Sequence, residues 1–134
     1  MPPTVTAESL NRLTSRIIEC AIRIHRALGP GLLESAYHAC LCYELTAAQL
    51  SIETEKQLSL VYQGVKVDCV YRADLVVDKM VIVEVKAQES VAPIHGRQLL
   101  TYLRVADCPA GLILNFGLPT MREGITRILN GFPT

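Results

Sequence analysis

The chain of 134 residues contains no tryptophan and few other aromatic residues, namely five tyrosines and two phenylalanines. A platform of aromatic rings on which single-stranded bases stack is therefore not expected. The chain also lacks an excess of charge of either sign, because 13 Lys and Arg balance 13 Asp and Glu. This balance excludes a strongly basic clamp for nucleic acid and an acidic solvating tail. A polyanionic partner would have to be held by a local patch or by a metal ion.

Long apolar runs and paired cysteines are absent as well. No stretch of about 18 uncharged apolar residues exists, so neither a membrane-spanning helix nor a membrane partner is expected. Met1–Thr4 are not part of a basic region followed by an apolar run, which predicts no signal peptide. The five cysteines are an odd number without zinc-knuckle or CxxC spacing. Such isolated cysteines are typical of reduced core residues, so a cytoplasmic location is expected.

The length predicts one domain over residues 1–134. Within it, the periodicity of apolar residues predicts eight elements in the order α-α-β-β-β-α-β-α. These are helices at 7–28 and 32–50, strands at 57–62, 65–77 and 81–87, a helix at 94–106, a strand at 110–116 and a short amphipathic helix at 120–129. Three consecutive strands, a helix and a further strand predict an α/β fold with a mixed β-sheet flanked by helices.

Two carboxylates and a lysine stand out on the second and third predicted strands. Glu84 and Lys86 are two residues apart on a strand and must share a face. If a three-residue turn pairs Val77 with Val81, Asp74 lies directly across from Glu84, whereas a two-residue turn would send the two carboxylates to opposite faces. Only the first kind of register places the odd-numbered apolar residues of both strands on one face. The sequence therefore predicts that Asp74 and Glu84 are cross-strand neighbours.

Neighbouring carboxylates repel each other unless a cation lies between them. A hard ion such as Mg²⁺ needs only one or two carboxylates together with water and substrate oxygens. Lys86 beside such a pair could orient an attacking water or stabilise charge on a phosphate. The spacing leaves open a second interpretation, in which Glu84 and Lys86 form a surface ion pair and Asp74 is merely solvated.

The arrangement of Asp74, Glu84 and Lys86 resembles the PD-(D/E)XK nuclease superfamily, whose restriction-endonuclease-like core has the order α-β-β-β-α-β. More narrowly, the chain is similar to the bacterial GxxExxY protein family, over residues 18–129. The similar segments are GLLESAY at 31–37, YQG at 62–64, ADLVV at 73–77, IVEVKA at 82–87, QLLTYL at 98–103 and GLILNFG at 111–117. One departure from the superfamily motif is Ala73, which occupies the place of the proline.

The resemblance implies a metal-dependent nuclease, with DNA as the first expected substrate and RNA as the alternative. It implies that Asp74, Glu84 and the backbone carbonyl of Val85 hold Mg²⁺ or Mn²⁺, with Lys86 as the catalytic lysine. Glu34 is similar to the additional acidic residue that many members use as a catalytic metal or water ligand.

Gln98 and Tyr102 resemble the QxxxY motif of the recombination-exonuclease branch, where these residues contact DNA. Several alternatives remain open at this point. Glu34 would also suit a helix N-terminus for electrostatic reasons alone, and Tyr102 would also suit a core position. The chain could instead be a non-catalytic module that keeps the fold and binds nucleic acid or a protein, and a homo-oligomer is equally compatible with the sequence.

The first predicted helix carries a stripe of arginines at nearly helical spacing. Such a stripe either follows a phosphate backbone or forms a solvated helix face. Its members are Arg12, Arg16, Arg23 and Arg26.

Overall fold

The computed structural model describes residues 5–131, apart from the side chain of Cys69. Its elements are α1 (Ala7–Leu28), α2 (Glu34–Ala47), β1 (Ile52–Tyr62), β2 (Val65–Val77), β3 (Val81–Lys86), α3 (Pro93–Ala106), β4 (Ala110–Asn115), a 3-10 turn (Arg122–Gly124) and β5 (Ile125–Leu129). The predicted mixed sheet flanked by helices is confirmed. Its five strands are in the order β1-β2-β3-β4-β5, and β3 and β4 are parallel while the other neighbours are antiparallel. None of the three described helices is long and apolar enough to cross a membrane.

The predicted helix at 120–129 is wrong, and the element order ends in β-β rather than β-α. Residues Arg122–Gly124 form a single 3-10 turn, and Ile125–Leu129 form an edge strand that pairs antiparallel with β4. The backbone of Gly124 lies so close to Asn115 that a Cβ at this glycine would overlap the Asn115 carbonyl oxygen. This contact holds the segment against β4, where β-branched residues of β5 suit an extended chain.

Helix α1 begins and ends at the predicted residues because both ends carry local signals. At its start, the Thr6 hydroxyl accepts from the Ser9 backbone N–H at 3.0 Å, and the Ser9 hydroxyl accepts from the Thr6 N–H at 3.1 Å. This reciprocal pair is a capping box. At its end, Gly29 has φ +69°, which favours glycine. The buried face between these ends covers one side of the sheet, and its apolar members are Leu10, Leu13, Ile17, Ala21 and Ile24.

Hydrophobic packing covers both faces of the central strands. On the side of α1 and α2, the odd-numbered residues of β3 pack with Tyr37 and Leu41. On the opposite side, Ile82 of β3 and Ile113 of β4 pack against Leu99 of α3. All six residues of β4 are buried, as predicted for a strand covered on both faces. The sheet is therefore the middle layer between α1 and α2 on one side and α3 on the other.

The hairpin of β2 and β3 has the predicted register, because its turn pairs Val77 with Val81. Regular pairing continues as far as Leu75 with Val83. Asp74 follows directly on β2, and its carboxylate accepts the backbone N–H of Val85, the residue next to Glu84. The predicted cross-strand proximity of the two carboxylates therefore agrees with the observed pairing.

The expectation that all odd-numbered residues of β2 share one face is wrong. Tyr71 stacks on Tyr102 of α3, whereas Leu75 and Val77 pack towards α1 and α2. The alternation therefore changes face around Asp74. Strand β1 is irregular at the position that faces Asp74. Its residue there, Glu55, has φ +52°, and pairs with β2 are formed by Thr54 before it and Lys56 after it. Strands β1 and β2 thus share a kink at Glu55 and Asp74.

Candidate active site

Glu84 and Lys86 lie on the same face of β3, as predicted, and open onto a cavity beneath α3. The cavity has a volume of about 190 Å³. Its lining consists of Tyr71, Glu84, Lys86, His95, Gln98, Leu99, Tyr102 and Ile113. The structure therefore brings together two residues of the ExK motif and both residues of the QxxxY motif.

Glu84 is a buried carboxyl group in the wall of this cavity. Its side chain is only 8 % exposed, and its Oε1 atom has no hydrogen-bond partner among the described residues. Burial raises the pKa of the Glu84 carboxyl to about 7, against the opposing effects of Lys86 and the Asp74 backbone. Glu84 and Lys86 form no ion pair within 4 Å in the described part of the chain. The alternative of a surface ion pair between them is therefore wrong.

Asp74 is held next to Glu84 at both its side chain and its backbone. Its Oδ2 atom accepts the backbone N–H of Val85 at 2.9 Å, and its carbonyl oxygen lies 3.2 Å from Nε2 of His38. The N–H and C=O of one strand residue point towards the same neighbouring strand. The carbonyl of Val85 therefore faces β2 beyond Leu75, where regular pairing has ended.

Glu34 is the first residue of α2 and is exposed. The loop before it is fixed by Tyr37, whose hydroxyl donates to the Gly29 carbonyl at 2.6 Å and accepts the Leu32 N–H at 3.1 Å. The Tyr37 ring stacks on Phe116 with 4.6 Å between the ring centroids. The glutamate and tyrosine of the GLLESAY segment thus have separate tasks, because Tyr37 anchors the loop and Glu34 projects from its end.

The charge of Glu34 acts on the site, because it contributes to the raised pKa of Glu84. Glu55 of β1 does the same and is a carboxylate that the sequence reasoning missed. Its Oε2 atom lies 3.3 Å from Nε of Arg72. The signal that could have identified Glu55 is the register of β1, which places it opposite Asp74.

Lys86 ends β3, and the chain beyond it is tied to β4 by Asn115. The buried side chain of Asn115 accepts the N–H groups of Gln88 at 2.9 Å and Gly117 at 3.0 Å, and it donates to the Ser90 carbonyl at 3.1 Å. The backbone N–H of Phe116 also donates to the Lys86 carbonyl at 2.8 Å. These bonds fix the path from Lys86 to α3.

Helix α3 contributes more residues to the cavity than the two predicted ones. Gln98 and Tyr102 line it as expected, and so do His95 and Leu99. The spacing of these four positions is that of one helical face, which is the signal that could have identified His95. Tyr71 reaches the cavity from β2, and its hydroxyl is buried without a hydrogen-bond partner among the described residues. Tyr71 was missed because the face change at Asp74 cannot be seen in the alternation.

The arginine stripe of α1 is not part of this cavity, because α1 packs on the other side of the sheet. Arg12 pairs with Glu8 at 3.1 Å and Arg23 with Glu44 at 2.8 Å. Arg16 donates to the backbone carbonyl of Ala48. Internal partners for three of the four arginines of the stripe favour the solvated helix face over a phosphate-binding track.

The oxygen atoms of Asp74, Glu84 and Val85 are the ligands that the site offers to a divalent cation. Across residues 5–131, apart from the Cys69 side chain, no three His, Cys, Asp or Glu side chains are close enough to hold a metal together. Two carboxylates and a carbonyl are nevertheless sufficient for Mg²⁺, which keeps several water ligands. The buried, unpartnered Oε1 of Glu84 is the kind of oxygen that such an ion would satisfy. The chemistry of Asp74 and Glu84 thus fits a hard cation.

Comparisons with known proteins agree with this geometry. A family model described as the PD-(D/E)XK nuclease superfamily matches residues 11–128. A search of curated proteins and a search of solved structures each found no match. The matched range includes both strands of the site and α3.

Proposed function

Because the chain belongs to the PD-(D/E)XK nuclease superfamily, we propose that it is a metal-dependent nuclease that hydrolyses phosphodiester bonds in DNA. The observation that carries the proposal is Glu84, a carboxylate kept 8 % exposed with an unpartnered oxygen beside Lys86. Burying such a group without a partner destabilises a protein. A cation at this position would compensate for that burial, and the site would then attract phosphate.

In this proposal, Asp74, Glu84 and the Val85 carbonyl hold Mg²⁺ or Mn²⁺. The Asp74 carboxylate keeps Oδ2 on the Val85 N–H, and its Oδ1 accepts no hydrogen bond from the described residues. When bound, the divalent ion supplies Lewis-acid stabilisation of the charge that develops on the phosphate. Glu34, the first residue of α2, would supply the additional acidic ligand.

The chemical step is hydrolysis, in which a water oxygen bonds to phosphorus while the bond from phosphorus to one sugar oxygen breaks. The departing sugar oxygen gains a proton, and the attacking water loses one. Lys86 lines the cavity next to Glu84, where its ammonium group orients the water and stabilises negative charge. Gln98 and Tyr102 line the same cavity from α3, and in this proposal they hold the DNA strand.

The narrower similarity to GxxExxY proteins supports the same site, because Glu34 and Tyr37 belong to the motif and have the separate tasks described above. The balance of 13 basic and 13 acidic residues agrees with a protein that holds its substrate at a local site rather than by overall charge. We place this protein in the cytoplasm. We place the activity on DNA and treat RNA as the competing substrate in the assay below.

A non-catalytic module that binds nucleic acid or protein is the second candidate. The observation that favours it is the lack, within the described chain, of any three acidic, His or Cys side chains gathered for a metal. Calorimetric titration with Mn²⁺ separates the two, with an Asp74→Asn variant as control. Binding by the wild type that the variant loses favours the nuclease, and no binding by either protein favours the module.

The direct test is cleavage of end-labelled single-stranded, duplex and branched DNA, and of RNA, with Mg²⁺ or Mn²⁺ or with a chelator. Lys86→Ala is expected to lower the rate by about 100-fold or more, in the range of lost acid–base catalysis. Lys79→Ala is the matched control, because Lys79 is exposed at the opposite end of β3. Equal cleavage by the wild type and Lys86→Ala would identify a contaminating nuclease and refute the proposal.

A further inference from the structure

His38 connects α2 to the metal-ligand strand. Its Nε2 atom lies 3.2 Å from the Asp74 carbonyl oxygen, and its Nδ1 atom lies 3.9 Å from the Cys42 sulfur. Since a carbonyl oxygen can only accept, Nε2 of His38 donates this hydrogen bond. With Nε2 as the donor, Nδ1 is the acceptor that the Cys42 thiol faces.

The bond from His38 arrives where the sheet leaves a backbone group unpaired. Regular pairing of β2 stops at Leu75 on the β3 side, and it skips Asp74 on the β1 side. A buried or half-buried carbonyl without a strand partner needs another donor. His38 supplies that donor from outside the sheet.

The two ends of Asp74 are therefore fixed from different directions. His38 holds its carbonyl, and the N–H of Val85 holds its carboxylate. Glu34 and His38 are four residues apart and lie on the same face of α2. The helix turn that carries Glu34 is thus anchored directly to the strand that carries Asp74.

We infer that His38 is a positioning residue that fixes Asp74 at the kink of β2 and brings Glu34 to the same site. The positioning follows from the contacts alone, while its consequence for metal binding rests on the proposed nuclease function. His38 contacts neither the cavity nor the reacting atoms in this role. It acts through Asp74.

The first test measures hydrogen exchange of the Val85 amide by NMR without metal. His38→Leu is expected to speed exchange about 10-fold, because Asp74 loses one of its two anchors. His38→Gln is the matched variant, since its amide nitrogen can donate to the same carbonyl. It should stay within about 3-fold of the wild type. The Val83 amide, in the regular pair with Leu75, serves as the internal control and should not change.

The second test measures Mn²⁺ affinity by calorimetry in the same three proteins. His38→Leu should weaken binding about 10-fold or more, as is usual when a residue that orients a ligand is lost, while His38→Gln should retain it. If the wild type binds no Mn²⁺, the proposed nuclease function fails, yet the amide exchange still decides whether His38 positions Asp74. If His38→Leu lowers only the melting temperature and leaves Val85 exchange unchanged relative to Val83, the inference is overturned.

Should His38→Leu fail to fold, Cys42 provides an independent test. Cys42→Ala removes the donor to Nδ1, whereas Cys42→Ser keeps one. Faster Val85 exchange in the alanine variant than in the serine variant supports the inference. Equal exchange in both contradicts it.

Discussion

Replacing Glu84 by Gln should stabilise the metal-free protein at neutral and alkaline pH. Burial raises the pKa of Glu84 from 4.5 to about 7. The folded state therefore binds this proton more tightly than the unfolded state does. The contribution of Glu84 to the free energy of unfolding is therefore fully present below about pH 4.5, and it is lost as the pH rises through about 7.

The size of the effect follows from that difference in pKa. At 1.36 kcal/mol for each pKa unit, ionising Glu84 in the folded protein costs about 2 to 3 kcal/mol between about pH 5 and about pH 8. Glutamine has nearly the same shape and no charge, so the variant should not incur this cost. With a typical urea dependence, the difference in unfolding midpoint between the two proteins should change by about 1 to 2 M across this range.

The assay is urea unfolding of wild type and Glu84→Gln at about pH 5 and about pH 8, with a chelator present. Glu89→Gln is the matched control, because Glu89 is exposed in the loop after β3. The comparison of the three proteins isolates the part of the pH dependence that requires a carboxyl at position 84. If the wild type and Glu84→Gln show parallel changes with pH, Glu84 does not become charged within a buried site and the reasoning is refuted.

Two further substitutions test the connection that follows Lys86. Asn115→Ala should lower the free energy of unfolding by about 2 to 4 kcal/mol in urea titrations, because two backbone N–H groups lose their acceptor; a loss within about 0.5 kcal/mol would contradict a role for this side chain. Gly117→Ala should cost about 1 to 3 kcal/mol, since a Cβ there would overlap the backbone of Gln88. Its effect should appear in thermal unfolding, with Gly96→Ala as a control at a position where a Cβ makes only an ordinary contact with Ile128, and equal melting temperatures of the two variants would argue against the close approach.

Much of the fold could be predicted from the sequence because local signals and tertiary packing agree. The bounds of α1 were predicted to the residue, since a cap, an apolar stripe and a glycine coincide there. The hairpin register could be predicted from the residues of β2 that follow Asp74. Their side chains alternate regularly between the two faces of the sheet, and Leu75 and Val77 share a face with Val81. The ExK motif needed only the two-residue period of a strand to place both side chains in one cavity.

The elements that sequence reasoning missed depend on contacts that are distant in the chain. Residues 120–129 have helical periodicity, but the open edge of β4 pairs with Ile125–Leu129. Strand β1 begins at Ile52 rather than at residue 57, because its first residues pair with the end of β2. In both segments the partner strand decides the structure, and intrinsic preference is too weak to oppose it.

The local rules that fail do so at one place in the molecule. A strand changes face at Asp74, a non-glycine residue at Glu55 has positive φ, and Glu84 is buried without a partner for one oxygen. Each of these features costs free energy on its own, and all three lie on the adjacent strands β1, β2 and β3. Departures of this kind persist where function requires them. A chain selected for stability alone would pair β2 regularly and place an apolar residue at position 84, so the coincidence supports the proposal that this part of the sheet binds a cation and acts on a substrate.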